Sequence, residues 1–146
     1  MKGEILGAKM KRAGWSLDHI GIAVRDIETA KKFYLSSAGY TEGFQEENLE
    51  HQIRALFLQG EHDLLELISP LPGNVTLQKF LDKRGEGLHH LCYKVPSVSA
   101  ELATLETAGL PLVDKCEREG ARGLKVAFLH PKASGSGVLI EICSEK

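Results

Sequence analysis

The chain has 146 residues and a net charge of −2, with acidic and basic residues mixed along its length. That is one domain's worth of sequence with room for a real core. It has no basic stripe for nucleic acid and no apolar run long enough to span a membrane.

Residues 1–16 read as an N-terminal extension, and the opening MKGEILGAKMKRAG lacks the apolar stretch of a secretory signal. Residues 17–24, LDHIGIAV, read as a strand. Asp26 then stands at a helix N-cap before IETAKKFYLSSAG, where Ile27, Ala30 and Tyr34 keep helical spacing and Gly39 closes the run. YTEGFQEE, HQIRALFLQG and DLLELIS read as three strands, with a turn from Gly60 to Asp63. A connector over 70–86 holds a short helix, VTLQKFLDKR.

The second half repeats the plan. GLHHLCYKV is a strand, and Ser97 caps VSAELATLETAG, whose Val98, Leu102 and Leu105 share one face. PLVDKCERE, LKVAFLH and GVLIEICS follow as strands. Each half is βαβββ, giving an α+β chain: residues 17–146 form a single domain with modules at about 17–69 and 87–144. Such internal repeats reveal architecture. Superposing the halves places His19 on His90, Val24 on Val95 and Ile27 on Val98.

The pair Asp18-His19 thus matches His89-His90, and only the second member recurs. Neighbours on a strand face opposite ways, so His90 is the candidate for a shared role and His89 is expected on the other face. The last strands, LLELI and VLIEI, each carry one glutamate among apolar residues on both faces. A lone buried carboxylate protonates or finds a partner. His19 to Glu66 spans 47 residues and His90 to Glu141 spans 51. A pseudo-two-fold fold brings all four together, where one divalent metal would satisfy them. The blander reading is two hydrogen-bonded core histidines and two glutamates that pair with arginines or reach a rim.

Four phrases, LDHIGIAVRDIETAKKFY, LLELISPL, GLHHLCYKV and above all GARGLKVAFLHPKASGSGVLIEI, resemble the vicinal oxygen chelate (glyoxalase/bleomycin resistance/dioxygenase) superfamily, and within it the methylmalonyl-CoA epimerases. The likeness runs from about 17 to 144. It implies a curved mixed sheet around a metal site, with His19, Glu66, His90 and Glu141 as ligands of one divalent ion. Two histidines and two carboxylates suit cobalt, nickel, zinc or manganese comparably. It also implies a homodimer acting on an acyl-CoA, with Glu141 as both ligand and proton-transfer group, while a cytoplasmic location is expected from the cysteine usage. Lys132, in HPK, is a candidate contact for a CoA phosphate or carboxylate, set against a solvated turn lysine. One departure stands out. Some epimerases use a further glutamate on the third strand of the first half, where this chain has Arg54-Ala55. Glu50 and His51, just upstream, are the nearby replacements, though they also read as loop or surface residues.

Other functions on this fold fit less well. A glyoxalase I-type lyase shares the ligand set but usually carries a DPDG-type turn where this chain has HPKASGSG. An extradiol dioxygenase needs two histidines and one glutamate only. A drug-sequestering module often lacks the ligands. Cys92 and Cys143, two residues beyond His90 and Glu141, are expected to pack rather than react. The three cysteines, Cys92, Cys116 and Cys143, have no CxxC spacing and fit a reducing compartment.

Overall fold

The alternating apolar runs pair into one sheet whose inner face is unusually polar for a buried surface. The computed structural model describes residues 14–145, so most of the expected N-terminal extension lies outside the described residues. In chain order the elements are β1 (Ser16–Ala23), α1 (Ile27–Ser36), β2 (Thr41–Asn48), β3 (Ile53–Gln59), β4 (Leu64–Pro70), α2 (Val75–Arg84), β5 (Gly87–Lys94), α3 (Val98–Thr107), β6 (Arg118–Glu119), β7 (Lys125–Leu129) and β8 (Ile140–Ser144). Each helix starts on a side-chain cap. Asp26 accepts from the Glu28 amide, Asn74 from Leu77 and Ser97 from Ala100.

The sheet order is β2-β3-β4-β1-β5-β8-β7-β6. β1 and β5 meet antiparallel at the centre, and each lies parallel to the last strand of its own half. The two halves are thus related by a pseudo-two-fold axis between β1 and β5. The sheet curls strongly: His51, in the turn after β2, donates its Nε2–H to the carbonyl of Glu119 on β6 at 3.1 Å, so the two ends of the strand order approach each other.

Strand alternation decides what each face carries. On the convex face, α1 covers Leu56, Leu58, Leu65 and Leu67, and α3 covers Ala127, Leu129, Ile140 and Ile142. On the concave face lie His19, Glu66, His90 and Glu141, all buried. The connector helix α2 sits on this side too, with Leu77 and Leu81 packed on Ala23, Ala55 and Ile68. It closes one end of the trough.

Two expectations need correction. PLVDKCERE forms only the two-residue β6 and a single bridge from Leu112 to Leu129. The intervening chain is held otherwise: the amides of Val113 and Asp114 both donate to the Phe128 carbonyl, and the Asp114 carboxylate accepts the Phe128 amide at 2.8 Å. An aspartate bonding across in this way replaces the ladder. His89 is the second case. In the β1–β5 pairing, Gly21 faces His90 and Ile22 faces Leu88, which leaves His89 as an extra residue. A β-bulge of this kind breaks the alternation. His89 therefore packs beside His90, with Nδ1 atoms 2.9 Å apart, and lines the same cavity. Asp18 is the matching extra residue on β1, between Leu17 opposite Tyr93 and His19 opposite Cys92.

Gly21 makes room for this arrangement. A Cβ there would stand 2.0 Å from Cε1 of His90. Gly21→Ala should therefore lower stability by roughly 1–3 kcal/mol through overpacking, read as a reduced midpoint of denaturant unfolding. An unchanged midpoint would show that the His90 ring is free to move.

Candidate active site

The central strands β1 and β5 supply the histidines, and their parallel neighbours β4 and β8 supply the carboxylates. The four side chains point to one spot. His19 Nε2 lies 3.1 Å from Glu66 Oε1 and 3.6 Å from Glu141 Oε1. His90 Nε2 lies 3.3 Å from Glu66 Oε1 and 3.2 Å from Glu141 Oε1, and the two Nε2 atoms are 3.3 Å apart. Ligand bonds of about 2.1 Å place neighbouring donors about 3.0 Å apart in an octahedron and about 3.4 Å apart in a tetrahedron. The observed separations, 3.1 to 3.6 Å, straddle the tetrahedral value and lie just above the octahedral one, so the donor set fits a single ion with little movement. Every sequence-derived ligand residue is brought together here.

Without an ion, the four groups satisfy one another as charges. Burial opposes the charged form of His19, but its bonds to Asp18, Glu141 and Glu66 outweigh that and raise its pKa to about 11. Burial opposes His90 as well, and Glu141 and Glu66 raise it to about 9. Burial also works against the ionised Glu66 and Glu141, yet both histidines hold each carboxyl below its usual range. The cluster is two imidazoliums facing two carboxylates.

Behind each histidine the bulge residue holds Nδ1. Asp18 Oδ2 is 2.7 Å from His19 Nδ1 and also accepts from Arg122. His89 is kept neutral, with burial and the charge of His90 pushing its pKa down to about 4. A neutral His89 accepts the Nδ1–H of His90, which leaves Nε2 of His90 aimed at the carboxylates. His89 is itself packed edge-on against Phe80 of α2, 4.8 Å between centroids. The pseudo-symmetry extends outward: Phe57 lies edge-on to His19 and Phe128 to His90, with Arg122 over the first ring and Arg118 over the second.

The cluster lies in the wall of a cavity of about 440 Å³, which also includes Glu46, Asn48, His51, Arg118 and Arg122. His51 reaches it, bonded to Arg118 at 3.1 Å, whereas Glu50 is exposed in the turn beside it. Ala55 is buried beneath α2, and Arg54 is paired with Glu47, so the third strand brings no base to the site. Lys132 sits exposed in the short turn Pro131–Ser134, outside the cavity wall. Cys92 and Cys143 are fully buried with Val126 and Leu124. The Cys143 contact, with burial, pushes the Cys92 thiol up, as packing residues require. Sequence reasoning missed Glu46, Arg118 and Arg122. For Arg122 the signal was present, since it lies within GARGLKVAFLHPK; Glu46 sits on a mostly polar strand, TEGFQEEN, whose pattern gives no sign of which face turns inward.

Residues 18–128 match the glyoxalase/bleomycin resistance protein/dioxygenase superfamily. The uncharacterised protein YqjC of Bacillus subtilis is 39% identical over 89% of this chain and 92% of its own. The ethylmalonyl-CoA/methylmalonyl-CoA epimerase of Cereibacter sphaeroides is 34% identical over 86% of this chain and 95% of its own. A solved structure of methylmalonyl-CoA epimerase in complex with methylmalonyl-CoA and ammonium superposes with a TM-score of 0.83, at 30% identity, over 91% of this chain and 96% of that one. Curled sheet, paired modules and sequence together place the chain in the glyoxalase/bleomycin resistance protein/dioxygenase superfamily, alongside its methylmalonyl-CoA epimerases.

Proposed function

We propose that the protein is an isomerase, a metal-dependent epimerase acting at C2 of methylmalonyl-CoA or a similar acyl-CoA. The observation that carries this reading is the convergence of His19, Glu66, His90 and Glu141 at ion-binding separations in the wall of one cavity. These four would hold one cobalt, nickel, zinc or manganese ion. A bound divalent ion supplies the Lewis acidity that makes the C2 proton of a malonyl-type thioester removable.

Glu141 exchanges the proton on one face of C2, taking it from one epimer and giving it to the other in the reverse direction. Its Oε1 faces both histidines, which leaves Oε2 for the transfer. Delivery to the opposite face of C2 falls to the rim formed by β2 and the turn after it, where Glu46 and His51 border the cavity. At about 440 Å³ the cavity suits an acyl head group, and the bulk of CoA stays outside. Lys132 is then available to a phosphate along the exposed part of the ligand. The reading includes a homodimer in a reducing compartment, in keeping with three free cysteines.

Proton NMR of methylmalonyl-CoA in D₂O tests the assignment. Metal-loaded protein should remove the C2 proton signal and interconvert the epimers, chelator-treated protein should do neither, and Glu141→Gln should lose at least about a hundredfold in rate. No exchange by a sample of verified metal content rejects the epimerase and turns attention to glyoxalase I-type chemistry.

Metal loading should also release protons, because imidazole ligates only when neutral. With His19 at about 11 and His90 at about 9, both are charged at pH 7 in the metal-free protein. Two protons should leave per ion at pH 7, falling toward one between pH 9 and 11, and affinity should rise with pH. Calorimetry in buffers of different ionisation enthalpy counts them; zero release contradicts the charged cluster. His89→Ala should weaken metal binding roughly tenfold to a hundredfold by releasing the His90 ring. Equal affinity of variant and parent in a chelator competition would deny His89 that role.

A further inference from the structure

The geometry points to Arg122 as the specificity-determining residue of the site, the group that reads a free carboxylate on the acyl portion of the substrate. This rests on the acyl-CoA reading above and names the substrate class more narrowly: thioesters that carry a second, ionised carboxyl group near the reacting carbon.

Arg122 occupies the turn between β6 and β7, at φ 61, next to Gly123 at φ 70. A non-glycine residue in the left-handed region is uncommon and is worth a look where it borders a cavity. Its side chain is fixed on two sides. The guanidinium carbon sits 4.6 Å from the centroid of Phe57, the ring that meets His19 edge-on. One terminal nitrogen donates to Asp18, whose same oxygen holds His19 Nδ1. The group is therefore pre-positioned beside the four-residue cluster.

What remains is an unused donor. The Nε–H of Arg122 is buried and has no hydrogen-bond acceptor among the described residues. Buried donors are nearly always paired, and an acceptor from outside the chain reaches this one only with a shift of the side chain, so the guanidinium keeps a donor still to be satisfied. A guanidinium presents its donors in a fixed planar fork that matches a carboxylate. The charge around it points the same way. The charges of His19 and His90 are taken up by Glu66 and Glu141, so an anionic acyl group needs a further cation in the wall. Arg118, the other arginine in the wall, is at the rim and is already bonded to Asp114 and His51.

The test compares ligands that differ only in that carboxylate. Methylmalonyl-CoA and propionyl-CoA are titrated into the parent protein, Arg122→Gln and Arg122→Lys, each brought to the same measured metal content. Arg122→Gln should weaken methylmalonyl-CoA roughly tenfold to a hundredfold and leave propionyl-CoA within about twofold. Arg122→Lys should recover part of the loss. Free malonate and acetate form a second arm that does not depend on the reaction. If malonate loses its advantage over acetate in Arg122→Gln, carboxylate recognition stands even where the parent protein fails to epimerise methylmalonyl-CoA. Equal weakening of both members of each pair would reduce Arg122 to a support for Asp18, and no change in either pair would also overturn the assignment.

Discussion

Two carboxylates are buried on the inner face of a curved sheet, and the rest of the molecule is arranged around keeping them satisfied. An unpaired buried carboxylate is expensive. Here Glu66 and Glu141 each contact both His19 and His90, and the histidines are charged in return. Such a cluster is poised between two states, a self-neutralising set of ion pairs and a ligand set for one cation. The exchange needs little rearrangement because the donor atoms already stand at ligand spacing. The same electrostatics that pair the four groups would make protons compete with any cation that binds there.

The pairing of the two halves places these groups. β1 and β5 form an antiparallel seam, and each brings its own parallel partner, so a histidine and a glutamate from each half meet across the axis. The bulges at Asp18 and His89 add a refinement. Each inserts one residue immediately before a histidine and turns it to face that ring's far nitrogen. The two supports differ chemically. Asp18 is anionic and tied to Arg122, while His89 is neutral and wedged against Phe80. The geometry is nearly symmetric, and the polarity is not. That asymmetry suits the proposed reaction, in which one of two matching carboxylates would move a proton and the other would not.

Much of this was legible in the sequence. The repeat, the caps at Asp26 and Ser97 and the two isolated glutamates all follow from periodicity and the cost of burying charge. What was not legible depends on register. Strand alternation put His89 on the far face, and only the pairing of Gly21 with His90 and Ile22 with Leu88 shows why it turns inward. The segment before β6 has strand-like composition, yet the carboxylate of Asp114 takes the place of a ladder bond. Glu46 reads as one polar residue among many on β2, and the curl of the sheet alone brings it to the cavity. Arg122 lies in a phrase that the resemblance singled out, but its inward place depends on a left-handed turn that composition does not announce.

The placement of the site on the seam has a mechanical meaning as well as a chemical one. The ligand residues lie near both ends of the described chain, His19 at the start and Glu141 close to the finish, with Glu66 and His90 flanking the connector. An ion bound by all four fastens together segments that are distant along the polypeptide, and the entropy of closing loops of that length grows with their size. Occupancy of the site would therefore also clasp the two halves: under the proposed reaction the catalytic cation would at the same time be a cross-link, and the integrity of the fold and the readiness of the catalyst would rise and fall together.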